Sequence, residues 1–355
     1  MKRPSEIETA PFPSRAREQA VQAPALAGSR FLRTLVILTI LLALLILLGL
    51  WAGTRTIDFS QLRSDPLART LFFRLRLPRV VMAALIGASL AMVGAALQAL
   101  FRNPLADPAT LGVSGGGAMG ASIAIALGWG ERVSGVPLVF VTAFGGAIAA
   151  FLLVHRISRA GQMQLPGAIL LAGVVVNLIA SAAVLTIQYL TDASRALQIL
   201  RWMIGSLDVV GFDTIWRMLI FLAPCWVILL AFSRDLHLLA MGEDSAATLG
   251  VNVKRCEWVI HLVCSLLVGV TVAVGGAIAF VGLIVPHIVR LLFGEDLRIV
   301  LAGSLLLGAG FLIAADAVAR TALGPLELPV GAVTALLGGP VFLWLLHRRQ
   351  RYSAL

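Results

Sequence analysis

Three glycines between two long apolar runs have the spacing of a dinucleotide-binding loop. Gly115, Gly117 and Gly120 match G-x-G-x-x-G letter for letter. That loop follows a β-strand and opens a helix inside a strand–helix–strand unit, and no strand precedes the glycines here. Small residues also let membrane helices pack closely, which suits the apolar surroundings better. No Walker A sequence G-x-x-x-x-G-K-[ST] occurs in the chain, so it has no nucleotide-hydrolysing site of that type.

The other residues with reactive side chains are scattered. The chain has five His and three Cys without an H-E-x-x-H or C-x-x-C motif, and no Ser–His arrangement indicates a protease. A lone histidine such as His261 or His287 is more often packed or hydrogen-bonded than a ligand. Pro286, inside an apolar run, is expected to kink a helix and free one backbone carbonyl. We therefore predict no catalytic residue and no metal ligand.

One ionisable pair lies inside an apolar run. Asp316 and Arg320 are one helical turn apart, so they share a helix face. Ionisable residues in a membrane are functional candidates, but this pair falls near the outer end of its run. Structural pairing and docking of a partner both remain open for it.

An ion-coupled carrier would need carboxylates near the centres of its membrane spans, and the first eight apolar runs of this chain carry none there. Energy for transport is therefore expected from outside the chain.

The elements that position these residues are membrane helices. Of 355 residues, 59% are hydrophobic and 13% charged, with a mean hydropathy of +0.95, whereas soluble domains carry about a quarter charged residues. A spanning helix needs about 20 mostly apolar residues. Ten runs qualify: 34–53, 78–100, 109–129, 136–155, 166–188, 213–233, 256–275, 277–294, 299–319 and 330–347. The predicted fold class is an all-α polytopic membrane protein.

Ten spans place both termini on one side of the membrane. Lys and Arg are more frequent in the segments on that side, which the positive-inside rule makes cytoplasmic. We predict a disordered cytoplasmic tail over 1–33, a transmembrane domain over 34–348 and a cytoplasmic C-terminal tail over 349–355. The net charge of +10 then reflects membrane orientation and not binding to nucleic acid.

Two polar connections on the cytoplasmic side have patterns of their own. Asn103-Pro104 ends the second span and Asp107-Pro108 begins the third, which predicts a short rigid turn suited to a gate. The connection 233–255 has helical periodicity from Leu236 to Leu249, followed by Gly250. It predicts two short helices on this face, which either contact a partner or only cap the bundle.

The external loop 52–79 carries six arginines. One interpretation is an amphipathic interfacial helix whose arginines reach lipid phosphates. The other is a docking surface for an acidic external partner.

Five stretches resemble, in order, the signatures of the FecCD family, the permeases of type II ABC importers for iron chelates and cobalamin. They are RLPRVVMAALIGASLAMVGAALQALFRNPLADPATLGVSGG, AMGEDSAATLG, GGAIAFVGLIVPHIVRLLFG, AADAVAR and ELPVGAVTALLGGPVFLWLL, between about 34 and 348. The resemblance implies a homodimer in the bacterial inner membrane, with the pathway along the two-fold axis. It also implies two cytoplasmic ATPase subunits that use ATP and Mg, a periplasmic binding protein, and no cofactor bound by this chain.

The resemblance implies roles for residues on the cytoplasmic face. The coupling helices of the family correspond to 240–250, within a predicted coupling region at 235–250, which places these residues in a cleft of the ATPase: Gly242, Glu243, Leu249 and Gly250. The cytoplasmic gate falls on Asn103 and Leu105 and on the turn before span five. That second turn reads Pro166-Gly167 here, where the cobalamin importer has small hydroxyl residues.

Roles are implied for the outer face and the pathway as well. Arginines that dock the binding protein in cobalamin importers correspond to Arg76, Arg79 and Arg320, which favours docking over lipid contact for these three only. Span five should line the pathway with Asn177, Ser181 and Gln188, whose spacings of four and seven put them on one face. Ordinary hydrogen bonding between helices is the alternative for these polar residues.

The function implied is ATP-driven import of an iron chelate, a ferric siderophore or haem, by alternating access. The changed turn at Pro166-Gly167 weighs against cobalamin, which remains the alternative cargo. A secondary carrier without an ATPase and an intramembrane enzyme acting on lipid or peptide are the two rival classes. Copurification of an ATPase subunit would exclude the carrier, and no catalytic arrangement supports the enzyme.

Overall fold

The computed structural model describes most of the chain, and its described part is almost entirely helical. The described residues are 14–53, 65–130, 132–133, 136–160, 166–324 and 326–353; among them, no side chain is described for 14–29, 132–133, 158–160, 166–168 and 344–353. In chain order the helices are α1 (Ser14–Trp51), α2 (Pro66–Leu100), α3 (Val113–Ala126), α4 (Leu138–Ala160), α5 (Pro166–Leu190), α6 (Ala193–Met203), α7 (Asp213–Ala231), α8 (Ser233–Met241), α9 (Glu243–Thr248), α10 (Val253–Gly275), α11 (Val281–Phe293), α12 (Leu297–Thr321) and α13 (Val330–Ser353). A two-residue hairpin, β1 (Arg132–Val133) and β2 (Val136–Pro137), precedes α4.

Ten of these helices coincide with the ten predicted spans. Seven contain a segment long and apolar enough to cross a membrane, namely α1, α2, α4, α5, α7, α10 and α12. Three shorter apolar helices, α3, α11 and the Val330–Leu343 part of α13, take the places of the other three. The prediction of an all-α polytopic fold is confirmed. The two short helices predicted within 233–255 are also present, as α8 and α9.

Two predicted boundaries differ from the structure near the N-terminus. Helix α1 begins at Ser14 and not at residue 34, so most of the segment predicted as a disordered tail is helical. Residues 14–22 are mostly good helix formers, whereas Pro24 and Gly28 disfavour a continuous helix between them and the span. The first thirteen residues of that tail lie outside the described residues.

Helix α2 likewise begins earlier than predicted, at Pro66 instead of residue 78. Asp65 is its N-cap: the carboxylate accepts a hydrogen bond from the N–H of Leu67 at 2.8 Å, and Pro66 takes the first helical position. A π-helical segment, Phe72–Arg76, continues without a break into the span. Four of the six arginines of the predicted loop therefore lie on α2, while Arg55 and Arg63 lie outside the described residues.

Helix α2 is at the centre of the bundle. In its most apolar window 83% of the residues are buried, against 22% in α5, so α5 exposes most of its surface to lipid or to another subunit. Close backbone contacts join α2 to its neighbours: a Cβ on Gly94 would lie 1.8 Å from the carbonyl oxygen of Gly282 in α11. A Cβ on Gly87 would lie 2.2 Å from the carbonyl oxygen of Gly308 in α12.

The glycine-rich stretch at the start of α3 serves helix packing, as predicted. A Cβ on Gly116 would lie 2.4 Å from the carbonyl oxygen of Gly146, and one on Gly120 would lie 2.1 Å from that of Thr142. Both carbonyl groups belong to α4, so the backbones of α3 and α4 are in direct contact. Bulkier residues would push the two helices apart, which explains the glycines without a dinucleotide.

Candidate gate, coupling and docking surfaces

The turn between α2 and α3 is a short, internally hydrogen-bonded structure. We call residues 101–107 the gate turn. The Asn103 side-chain oxygen accepts a hydrogen bond from the N–H of Leu105 at 2.9 Å, and the Asn103 carbonyl accepts one from the N–H of Ala106 at 3.1 Å. This Asx turn holds Leu105 at the surface with 46% of its area exposed. Of the two predicted gate residues in this turn, Asn103 fixes the turn and Leu105 projects from it.

The residues that follow the gate turn form a 3₁₀ helix and then α3. Asp107 is its N-cap residue and Pro108 its first residue, as predicted, but Gly112 (φ +78°) ends this short helix after Leu111. Helix α3 starts anew at Val113, so the third span is shorter than the predicted 109–129. Burial raises the pKa of the Asp107 carboxyl to about 7, since removing the carboxylate from water disfavours its charged form.

The second predicted gate element is described only in its backbone. Pro166 and Gly167 are the first two residues of α5, where a proline is compatible with a helix because its missing N–H would have no helical acceptor. The side chain of Pro166 is not described, and Leu165, the preceding residue of this turn, lies outside the described residues. The gate role of this turn stays a prediction.

Helices α8 and α9 lie on the same face as the gate turn, with Glu243 2.7 Å from Arg102. They meet at Gly242, whose φ of +137° is open to glycine but strained for other residues. Leu236 and Ala246 are fully buried beneath the two helices. Met241 and Leu249 point their apolar side chains outward, with 66% and 61% of their areas exposed. Helices α8 and α9 are therefore anchored to the bundle by their buried side chains. They present exposed apolar side chains beside Glu243, as a contact surface for another protein would.

The opposite face of the bundle holds a cluster of charges around a buried aspartate. Asp316 on α12 is 1% exposed; its carboxylate accepts a hydrogen bond from Arg79 on α2 and forms an ion pair with Arg320 on its own helix, each at an N–O distance of 2.9 Å. Arg79 also binds Glu327 at 2.6 Å near the surface. Of the two alternatives for Asp316 and Arg320, structural pairing is therefore the one present. Asp316, Arg320 and Arg79 together form a triad of charged side chains.

Two predicted docking arginines also cap the end of α1. Arg320 donates to the carbonyl oxygens of Ala52 and Gly49, at 2.7 and 3.0 Å, and Arg76 donates to that of Leu50 at 3.1 Å. These carbonyls lie at a helix C-terminus, where cations are favourable. Arg320 is only 4% exposed, so its guanidinium serves the bundle and does not offer a free charge to a partner. This differs from the docking role implied for it.

Arg76 and Arg79 remain beside an open cavity on that face. The cavity has a volume of about 430 Å³ and is lined by both arginines together with Asp208 and Glu327, among others. All three predicted docking residues are thus brought together, although their sequence positions span most of the chain. Arg76, which is half-buried, and Arg79, whose side chain is 16% exposed, are more accessible than Arg320, whose side chain is 5% exposed.

Asn177 joins α5 to the interrupted start of α3. Its amide nitrogen donates to the carbonyl oxygen of Ala109, and its amide oxygen accepts from the N–H of Gly115 at 2.9 Å. The side chain thereby bridges the break at Gly112. Of the predicted pathway residues, Asn177 thus has the interhelical hydrogen bonds named as the alternative. Ser181 is exposed and Gln188 half-buried on the same helix, and their pathway role stays a prediction.

Helix α6 was not predicted from the sequence. The Asp192 carboxylate caps it by accepting from the N–H groups of Ser194 and Arg195, at 3.1 and 3.0 Å. The hydrogen bond from the Ser194 hydroxyl and these backbone bonds hold the pKa of Asp192 below its usual range. The signal was present in DASRALQILRWM: an Asp N-cap, then apolar side chains at helical spacing, including the buried Ile199.

The described residues contain no group of three or more His, Cys, Asp or Glu side chains that could hold a metal ion. His261 is 7% exposed and lies against the ring of Phe101, with centroids 5.4 Å apart. The packed environment is the one expected of a lone histidine in a span.

This architecture is that of a multi-pass membrane permease, and comparisons with known proteins agree. The sequence matches the FecCD transport family over residues 35–348. The hemin transport system permease protein HmuU of Yersinia pestis is 37% identical over 326 residues, 89% of this chain and 96% of that protein. The vitamin B12 import system permease protein BtuC of Shigella boydii is 39% identical over 320 residues, 90% of this chain and 96% of that protein.

A solved structure of a metal-chelate type ABC transporter in an inward-facing conformation has the same fold. Its TM-score is 0.78 at 30% identity, covering 89% of this chain and 99% of the other. The fold and the family match together define the transmembrane subunit of an ABC transporter. The chain belongs to the FecCD transport family and is a permease, not an enzyme. An ATPase-independent carrier and an intramembrane enzyme are thereby set aside.

Proposed function

We propose that this permease imports an iron chelate, either a ferric siderophore or haem, from the periplasm to the cytoplasm. It works as a homodimer in the inner membrane with both termini cytoplasmic, driven by two ATPase subunits that use ATP and Mg. The similarity to a metal-chelate transporter over 99% of its chain carries the choice of cargo, and the Pro166-Gly167 turn is consistent with it. The chain itself binds no cofactor in this scheme.

The pathway runs between the two copies of α5. Large aliphatic side chains dominate the open surface of this helix, with Leu178, Ile179 and Leu185 each exposed by more than 60%. Ser181 and Gln188 add a few polar groups to that wall. A mostly apolar wall lets a bulky amphipathic chelate pass without a tight polar site that would trap it. Asn103, Leu105, Pro166 and Gly167 form the cytoplasmic gate.

The ATPase acts on the gate through α8 and α9. Gly242, Glu243, Leu249 and Gly250 occupy a cleft of the ATPase subunit in this proposal. Apolar exposure at Met241 and Leu249, one at the end of α8 and the other directly after α9, supports such a contact.

Docking of the periplasmic binding protein uses Arg76 and Arg79 at the mouth of the outer cavity. Arg320 supports them from below through Asp316. Because Arg79 neutralises the buried Asp316, its reversal to Glu would damage the bundle as well as the docking surface. Arg76→Gln is the cleaner test, since it removes a positive charge beside the cavity and leaves the Arg79–Asp316 ion pair in place. We expect it to weaken docking of the binding protein at low salt; unchanged affinity would contradict this role.

Cobalamin is the second candidate cargo. It is supported by the 39% identity to a vitamin B12 import permease over 96% of that protein. Against it stands the second predicted gate element at the start of α5, where this chain has Pro166 and Gly167 in place of the small hydroxyl residues that the resemblance implies for a cobalamin importer.

Uptake into proteoliposomes separates these possibilities. The permease is reconstituted with its ATPase subunits, with ATP inside and the binding protein outside, and is offered labelled ferric siderophore, haem and cobalamin in parallel. We expect ATP-dependent entry of the siderophore or of haem, and none with ADP. Entry of cobalamin alone would establish the second candidate, and entry without ATP would overturn the ATP-driven mechanism.

A further inference from the structure

An ion pair connects the gate turn to the first residue of α9. The Nη2 atom of Arg102 lies 2.7 Å from Oε1 of Glu243. Arg102 immediately precedes Asn103, and Glu243 immediately follows the junction of α8 and α9 at Gly242. The sequence distance between the two residues is 141 positions. Among the described residues, this is the one ion pair between the gate turn and α9.

The backbone of Arg102 is in a conformation that arginine rarely adopts. Its φ is +50°, in the left-handed region, which costs a residue with a Cβ about 1–2 kcal/mol. Glycine or asparagine would take this conformation more readily. An arginine at this position therefore calls for a compensating interaction, and the bond to Glu243 supplies one.

Both ends of the ion pair are held by rigid structure. The N–H of Asn103 donates to the carbonyl of Gln98 at 3.1 Å, so the gate turn folds back on the end of α2. On the other side, the carbonyl of Ala246 accepts from the N–H of Val251 at 3.0 Å, and Ala246 is fully buried. A displacement of α9 is therefore transmitted to Leu105 in two steps. It passes through the Arg102–Glu243 ion pair and then along the three residues of the hydrogen-bonded gate turn that follow Arg102.

A second carboxylate lies close to this pair. The charge of Glu257, the fifth residue of α10, interacts with both Glu243 and Arg102. The Glu257 carboxylate is repelled by Glu243 and attracted by Arg102. Arg102 therefore also offsets part of the repulsion between the two acidic residues. Glu257 belongs to a spanning helix and not to α9, so it offers no link to the ATPase surface.

We propose that Arg102 is a positioning residue that ties the gate turn to α9, so that movement of α9 under the ATPase is transmitted to Leu105. This inference rests on the proposed function of α8 and α9 as coupling helices. The side chains are 40% and 44% exposed, and exposed pairs contribute at most about 1 kcal/mol, which corresponds to about a fivefold effect. The pair adjusts the coupling and does not hold the fold together.

The test compares variants of the full importer in proteoliposomes, scoring cargo imported per ATP hydrolysed. The probe is whichever of labelled ferric siderophore, haem and cobalamin the unaltered complex imports. Arg102→Asn suits the left-handed backbone, so we expect its thermal unfolding to be unchanged or improved while transport per ATP falls about twofold to fivefold. Arg102→Glu should fall further, since it places three carboxylates together.

Arg102→Lys is the matched control, because it retains the positive charge opposite Glu243 and leaves Glu243, which the proposed function places in the ATPase cleft, unaltered. It should keep at least half of the transport per ATP that Arg102→Asn loses. An unchanged ratio in Arg102→Asn, or an equal loss in Arg102→Lys, overturns the positioning role. If the unaltered complex shows no ATP-driven import of any probe, the proposed function itself fails and this inference with it.

Discussion

Gln98 on α2 donates its side-chain amide to the carbonyl oxygen of Gly282 on α11, with an N–O distance of 3.2 Å. In an unbroken helix this carbonyl would accept from the N–H of residue 286, but that residue is proline and has no N–H. Gln98 is 4% exposed, so water does not take its place. Arg290 donates to the oxygen of the same amide, which fixes its orientation. The carbonyl that Pro286 was predicted to free is thus satisfied from another helix.

Replacing Gln98 by leucine should destabilise the permease. The change leaves the Gly282 carbonyl and the Arg290 guanidinium without this partner, and a buried polar group without a partner costs about 1–3 kcal/mol. We expect a clear fall in the thermal unfolding temperature of the purified protein. Adding Pro286→Ala to this variant supplies the missing N–H and should recover part of the loss. Equal unfolding of the single and double variants would contradict this role for Gln98.

Asp316 should be far more important to the fold than the neighbouring Glu327. Asp316→Asn leaves the buried Arg320 without its carboxylate and leaves Arg79 with only Glu327, which costs about 3–5 kcal/mol. Glu327 is 42% exposed, so Glu327→Gln should change the free energy of unfolding by about 1 kcal/mol at most. Thermal unfolding of the two variants side by side measures this. Similar effects would mean that the arginines do not depend on the buried carboxylate.

Asn177 and Ser181 should respond differently to alanine. Asn177→Ala removes both hydrogen bonds across the break at Gly112, so we expect a loss of about 1–3 kcal/mol in the free energy of unfolding. Ser181 is exposed one turn further along α5, and Ser181→Ala should stay within about 0.5 kcal/mol. Transport measured on both separates the roles: lower uptake at unchanged stability marks a pathway residue. Unaltered stability in Asn177→Ala would refute its bridging role.

Two glycine-to-alanine changes should have opposite effects. At Gly94 the new Cβ would lie 1.8 Å from the carbonyl oxygen of Gly282, so α2 and α11 must separate, at a cost of about 3 kcal/mol. At Gly145 in α4 a Cβ meets nothing within 4 Å, and alanine should stabilise that helix by about 0.5–1 kcal/mol. Unfolding temperatures that shift in the same direction would show that close packing does not govern the Gly94 site.

Local sequence signals were enough for the helices and for some of their ends. Ten apolar runs became ten helices because the spacing of apolar residues and the length needed to cross a bilayer are properties of a continuous segment. The Asp65-Pro66 start of α2 and the Asp192 cap of α6 carried the same kind of signal. Both signals are present in the sequence, but they lie outside the long apolar runs from which the spans were predicted.

The candidate site divides along the same line. The sequence indicated a rigid turn at Asn103 and two short helices near Glu243, and both are present because turn and cap chemistry acts over a few residues. It did not indicate that Arg102 would join the two.

By itself, the sequence determined the class of protein, the number of spanning helices and the places where proline and glycine interrupt them. The tertiary structure alone decided which partner each polar side chain meets: Arg79 meets Asp316, 237 positions away, and Gln98 meets the backbone carbonyl of Gly282, 184 positions away. The reason is physical. A helix exposes every direction around its axis, and only the close packing of one helix on another selects the face, and therefore the partner, of each side chain.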